Sequence, residues 1–91
     1  MKNKDLLDIS KKFGSPVYVY DSNKIKSQYN RLKNAFSGIS SLRIHFAVKA
    51  LSNISVLKFM KKLGTGLDTV SIQEVELGLM AGFDPKKIIY T

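Results

Sequence analysis

Lys49 closes the run Ile44-His45-Phe46-Ala47-Val48-Lys49, and it is the side chain in this sequence best suited to chemistry. Lysine is almost never fully buried without a partner. If the run is a strand, its side chains alternate. His45, Ala47 and Lys49 then share one face, and Ile44, Phe46 and Val48 share the other. In a parallel barrel the first set points inward, and Lys49 stands at the carboxyl end, where such folds place their active sites. Apolar walls there would desolvate the amine and favour its neutral form. A neutral amine is a nucleophile able to form a Schiff base. The plainer reading is that Lys49 marks the end of the strand and extends its ammonium into solvent. On the residues alone, the plainer reading is favoured.

Asp68, in Gly66-Leu67-Asp68-Thr69-Val70-Ser71, is a second inward candidate one strand along. A carboxylate near Lys49 can orient the amine or a bound cofactor. The plain alternative is a turn-proximal aspartate bonded to local backbone. Ser71 and Glu74 have capping-box spacing, which by itself explains both. His45 reads as a hydrogen-bonded interior histidine, because no second metal ligand stands near it. Tyr18, Tyr20 and Tyr29 read as packing groups. Gly64-Thr65-Gly66 lacks the longer glycine patterns of nucleotide sites.

These residues need elements to hold them. Leu6, Ile9 and Phe13 have helical spacing and Gly14 follows, predicting a helix over residues 4–13. Val17 to Asp21 is β-branched and aromatic, which predicts a strand. Asp21 or Ser22 can cap a second helix, striped by Ile25, Tyr29, Leu32 and Phe36. Residues 42–51 are nearly all apolar, as in a strand buried on both faces of a parallel sheet. A helix over 53–63 ends at Gly64, a short strand covers 66–70, and Ser71 opens a further helix ending at Gly82. Asp84-Pro85 turns the chain into a strand at 88–90. From residue 42 the order is strand, helix, strand, helix, strand, which predicts parallel α/β structure.

The 91 residues suffice for one small domain, not for a deep, enclosed site. With no cysteine and a single histidine, a disulfide scaffold, a thiol nucleophile and a His-rich metal site are excluded. The chain carries 15 Lys plus Arg against 7 Asp plus Glu, a formal charge of +8. The bases are scattered, however, and the longest runs are the doublets Lys11-Lys12, Lys61-Lys62 and Lys86-Lys87. Such doublets suit solvated helix ends better than a nucleic-acid stripe. No signal peptide and no membrane span can be read, so a cytoplasmic location is expected.

Three segments together carry a resemblance. Phe13-Gly-Ser-Pro-Val-Tyr-Val-Tyr-Asp21, His45-Phe-Ala-Val-Lys-Ala-Leu-Ser-Asn53 and the stretch from Gly64 to Thr91 resemble the opening of the alanine-racemase-like, PLP-dependent decarboxylases, and among them the diaminopimelate decarboxylases best. The likeness runs from about Phe13 to Thr91, with the three motifs in family order. It implies the N-terminal part of a PLP-binding (β/α)8 barrel. Residues 1–21 would give a helix and one strand of a separate β-domain, and residues 22–91 the first βα units of the barrel. It implies that Lys49 holds pyridoxal 5'-phosphate covalently until the substrate amine displaces it. Asp68 and Glu74 match acidic positions near the cofactor, and Ala47 would line the barrel beneath the ring.

The reaction implied is meso-2,6-diaminopimelate to L-lysine and carbon dioxide, in a full-length homodimer. Two positions depart from the family pattern. Leu51 stands where asparagine is usual, and Ile72-Gln73 replaces Gly-Gly before Glu74. The family's phosphate-binding loop, ring-stacking histidine, ring-nitrogen acid and partner-subunit cysteine would lie beyond this sequence. The chain is therefore expected to be an N-terminal portion, inactive alone. The rival readings are a sister decarboxylase acting on ornithine, arginine or carboxynorspermidine, and a small basic α/β interaction module.

Overall fold

The chain was described through a computed structural model covering residues 1–91. Helix α1 spans Asn3–Phe13, with the Lys2 backbone N–H donating to Asp5 Oδ2 at 3.3 Å and Lys11 and Lys12 in its last turn. None of its residues is fully buried; Leu6 and Phe13 on its apolar stripe are exposed and Ile9 is half-buried. Helix α2 spans Ser22–Ala35. Asp21 caps it, Oδ1 accepting from the N–H groups of Asn23 at 3.0 Å and Lys24 at 3.3 Å. This satisfies donors that the helix cannot satisfy itself. Ile25 and Tyr29 turn toward the protein, whereas Leu32 and Phe36, on the expected stripe, stay exposed.

The expected strand at Val17–Asp21 does not form. Val17 to Tyr20 lie outside any helix or strand and make no backbone hydrogen bond, and Tyr18 is 89% exposed. The side-chain types suit a strand, but a strand exists only by pairing, and no other segment of residues 1–91 pairs with it through backbone hydrogen bonds.

The remaining elements alternate as expected. Strand β1 is His45–Ala47, helix α3 Ile54–Leu63, strand β2 Gly66–Thr69, helix α4 Ile72–Met80 and strand β3 Ile88–Tyr90. The strands form one parallel sheet in the order β1-β2-β3. Asn53 Oδ1 caps α3 by accepting from Ser55 and Val56, and Gly64 ends the helix in the left-handed conformation at φ +105°. Ser71 Oγ accepts from the Glu74 N–H at 3.2 Å and opens α4.

Val48, Val56, Leu57, Met60, Leu67, Ala81 and Phe83 form the buried core between sheet and helices. Leu67 is wholly buried and faces α4, which approaches β2 so closely that a Cβ at Gly78 would lie 2.7 Å from Leu67 Cδ1. Alternation along β2 therefore turns Gly66 and Asp68 to the opposite face. The register sets His45 beside Gly66, Ala47 beside Asp68, and Asp68 beside Ile89 on that face. Neither α3 nor α4 covers it. No helix of the chain is long and apolar enough to cross a membrane.

Candidate functional site at the carboxyl ends of the strands

Strand β1 is shorter than residues 42–51, and Lys49 follows it rather than ending it. After Ala47 the chain enters a 3-10 turn over Val48–Ala50. Successive side chains in such a turn rotate by about 120° rather than the half-turn of a strand. Val48 goes into the core, completely buried, and Lys49 emerges exposed past the carboxyl end of β1. Val48 thus joins Phe46 on the core side, as alternation predicts, and Lys49 stays off that side. The apolar desolvation expected around Lys49 is not supplied by residues 1–91, because its side chain stands in solvent. The Leu51 N–H donates to the Val48 carbonyl at 3.0 Å and closes the turn, while Leu51 packs against the core edge.

Asp68 is half-buried on β2, in register with Ala47, two residues before Lys49. Its Oδ1 accepts from Thr91 Oγ1 at 3.0 Å. The turn-like local bonding considered for it from the sequence is absent; its partner lies 23 residues away. Asp68 and Lys49 are not in ion contact, since the one ion pair of the chain joins the N-terminal amine to Asp21 at 3.7 Å. Glu74 is half-buried at the start of α4, and its Oε1 accepts from the Val70 N–H at 3.0 Å. The capping box is thus real but slips by one residue, because the glutamate reaches past Ser71 to Val70. Ala47 is half-buried on the open face beside Asp68.

The sequence-derived residues fall into two groups. Ala47 and Asp68 lie on adjacent strands, with Lys49 just past the carboxyl end of β1, whereas Glu74 sits at the amino end of the following helix with one carboxylate oxygen engaged. His45 belongs to the other end of the sheet. It lines a cleft of about 780 Å³ together with Lys33, Arg43, Lys86 and Lys87, with Asp84 as the one acid. Thr91 escaped the sequence reading: a strand-end threonine carries no signal of its own, and only the strand register reveals its partner.

The arrangement suits a carbonyl-bearing cofactor in part. It offers an accessible primary amine, a neighbouring carboxylate with Oδ2 free of hydrogen bonds, and a small side chain that leaves room on the open face. Lys49 would hold the group, and Asp68 would face its cationic part.

Known proteins bear on this arrangement. The family model "Pyridoxal-dependent decarboxylase, pyridoxal binding domain" matches residues 22–91. The chain is 41% identical over 88 residues to diaminopimelate decarboxylase of Methanothermobacter thermautotrophicus, covering 96% of this chain and 21% of the relative. It is 43% identical over 83 residues to the Pseudomonas aeruginosa protein of the same name, covering 91% of this chain and 20% of the relative. Among solved structures, diaminopimelate decarboxylase of M. jannaschii superposes with a TM-score of 0.88 at 31% identity, over 93% of this chain and 21% of that one. The Helicobacter pylori enzyme complexed with L-lysine gives 0.82 at 38% identity, again over 93% and 21%. The chain spans about a fifth of the length of these relatives. Its fold is the α/β fold of the opening part of their pyridoxal-binding barrel. On the family match across residues 22–91, this chain belongs to the pyridoxal-dependent decarboxylases, within their pyridoxal binding domain.

Proposed function

We propose that the protein carrying these residues decarboxylates meso-diaminopimelate to L-lysine, and that Lys49 holds its pyridoxal phosphate. The observation that carries the reading is the position of Lys49: an accessible amine just past the carboxyl end of β1, inside the stretch matched by the family. The relatives named diaminopimelate decarboxylase, and a solved relative complexed with L-lysine, favour this substrate class.

Pyridoxal phosphate, when bound, supplies an electron sink for the pair left behind as carbon dioxide departs. The chain's own residues do the rest. The Lys49 Nζ, free of any ion pair, offers the attachment point and a site to take up or return a proton. The Asp68 carboxylate stabilises positive charge beside it. Ala47 leaves space on the open face. Glu74 holds the start of α4 and keeps one oxygen for a polar partner. Val17 to Tyr20 would become a paired strand against a β-rich domain formed by other parts of the protein, which suits their exposure here.

Borohydride trapping tests the reading. The full-length protein would be mixed with pyridoxal phosphate, reduced, digested and mapped by mass. Labelling confined to Lys49 is expected. Labelling scattered over the surface lysines, with Lys49 no more reactive than Lys86 or Lys87, would overturn it.

A further inference from the structure

Asp68 is presented by a neighbour. Thr91 Oγ1 donates to Asp68 Oδ1 at 3.0 Å, and Oδ2 has no hydrogen-bond partner. The same hydroxyl lies 3.4 Å from the Thr69 carbonyl. A hydroxyl carries one proton, and the carboxylate is both nearer and charged, so the proton belongs to Asp68. Thr91 is itself fixed, because its backbone N–H donates to the Thr69 carbonyl at 2.9 Å and extends the β2–β3 ladder. Below it, the fully buried Thr69 donates through Oγ1 to the Ile89 carbonyl at 2.8 Å and ties the two strands a second time. The donor therefore stands on a doubly fastened platform, while Asp68 is only half-buried and has no other side-chain restraint.

We infer that Thr91 is a positioning residue: by occupying Oδ1 it fixes the Asp68 carboxylate so that Oδ2 is kept for the cationic centre at Lys49 and its cofactor. The inference rests on the roles proposed above for Lys49 and Asp68. A half-buried carboxylate without the hydroxyl would distribute over several rotamers, and its charge would act at the amine only part of the time. With the hydroxyl, one oxygen is consumed by a neutral donor and the other is held ready.

The test uses the full-length protein with four replacements: Thr91→Val, Thr91→Ser, Asp68→Asn, and Thr91→Val combined with Asp68→Asn. The readouts are the dissociation constant of pyridoxal phosphate for the cofactor-free protein, kcat, and the thermal midpoint. Loss of one charge-assisted hydrogen bond at a half-exposed site predicts a dissociation constant raised about 3- to 10-fold in Thr91→Val. Thr91→Ser keeps the donor and restores binding to within about twofold. In the Asp68→Asn background Thr91→Val adds nothing further, because the residue acts through Asp68. An unchanged dissociation constant in Thr91→Val overturns the inference. So does an equal loss with and without Asp68, or a Thr91→Ser protein as impaired as Thr91→Val, either of which marks a merely structural role. If Thr91→Val does not fold, Thr91→Ala removes the donor with less bulk and takes its place. A wild-type protein that fails to label at Lys49 defeats the proposed function and this inference together. Labelling at Lys49 with no Thr91 effect defeats this inference alone.

Discussion

The imidazole of His45 lies over Gly66, so closely that a Cβ at position 66 would stand 2.6 Å from its Cδ2 and 2.6 Å from the Lys87 carbonyl oxygen. The two residues are register partners on β1 and β2, on the open face of the sheet. The imidazole can swing away, but the carbonyl belongs to the backbone leading into β3 and cannot. Gly66→Ala is therefore expected to destabilise the protein by about 1–3 kcal/mol through overpacking. A denaturant midpoint unchanged from wild type would show that the strands separate freely at this end.

Leu57 tests the core from the helix side. It is completely buried among the residues packed between α3 and the sheet. Leu57→Ala removes its methyl groups and leaves a cavity that the surrounding close packing cannot fill, at an expected cost of about 2–5 kcal/mol. The measurement is equilibrium unfolding in urea. A cost under that range would mean that α3 collapses into the space.

Lys49 separates chemistry from stability. Its side chain is exposed and unpaired, so Lys49→Ala should change unfolding free energy by no more than about 0.5 kcal/mol. The same protein should retain no reducible pyridoxal phosphate after gel filtration. The visible absorbance of the protein peak and its thermal melt, taken together, check this. Retained absorbance would place the attachment at another lysine.

Glu74 has a structural task already, and substitutions can divide it from any task at the cofactor. Ser71→Ala removes the cap of α4 and should cost about 1 kcal/mol. Glu74→Gln keeps an oxygen for the Val70 N–H and should leave the thermal midpoint close to wild type. If Glu74 also faces the cofactor through its charge, Glu74→Gln weakens pyridoxal phosphate binding while Ser71→Ala does not. Equal binding in both variants would confine Glu74 to capping.

Residues 1–91 produced alone should bind pyridoxal phosphate weakly or not at all. The open face that carries Ala47 and Asp68 has no covering helix, and Lys49 stands in solvent, so nothing encloses a ring. A saturable fluorescence titration of micromolar affinity would contradict this. The exposed edges of β1 and β3 also predict self-association at high concentration, visible in sedimentation.

Hydrophobic spacing and turn residues made most of the architecture legible. The apolar stripe of α2, the glycine stop after α3, the capping pair Ser71 and Glu74, and the alternation of strand with helix are local signals, each set by residues within a few positions of one another. Their order sufficed for a parallel sheet. The segment Val17–Tyr20 misled for the opposite reason: its composition favours a strand, but pairing is a long-range matter that composition cannot supply.

The sequence by itself made Lys49 the candidate for chemistry, through its residue type and through the order of the three motifs that carry the family resemblance, both of which are read along the chain. That Lys49 stands in solvent within residues 1–91, without apolar walls around it, was decided only by the tertiary structure. After three strand residues the chain enters a 3-10 turn over Val48–Ala50, with Val48 in the core and Lys49 exposed. The partnership of Asp68 with Thr91 likewise depends on the register of β2 against β3, which brings together groups 23 residues apart. Register follows from the packing of Leu67 and Ile88 against α4, and no local pattern in the chain encodes it.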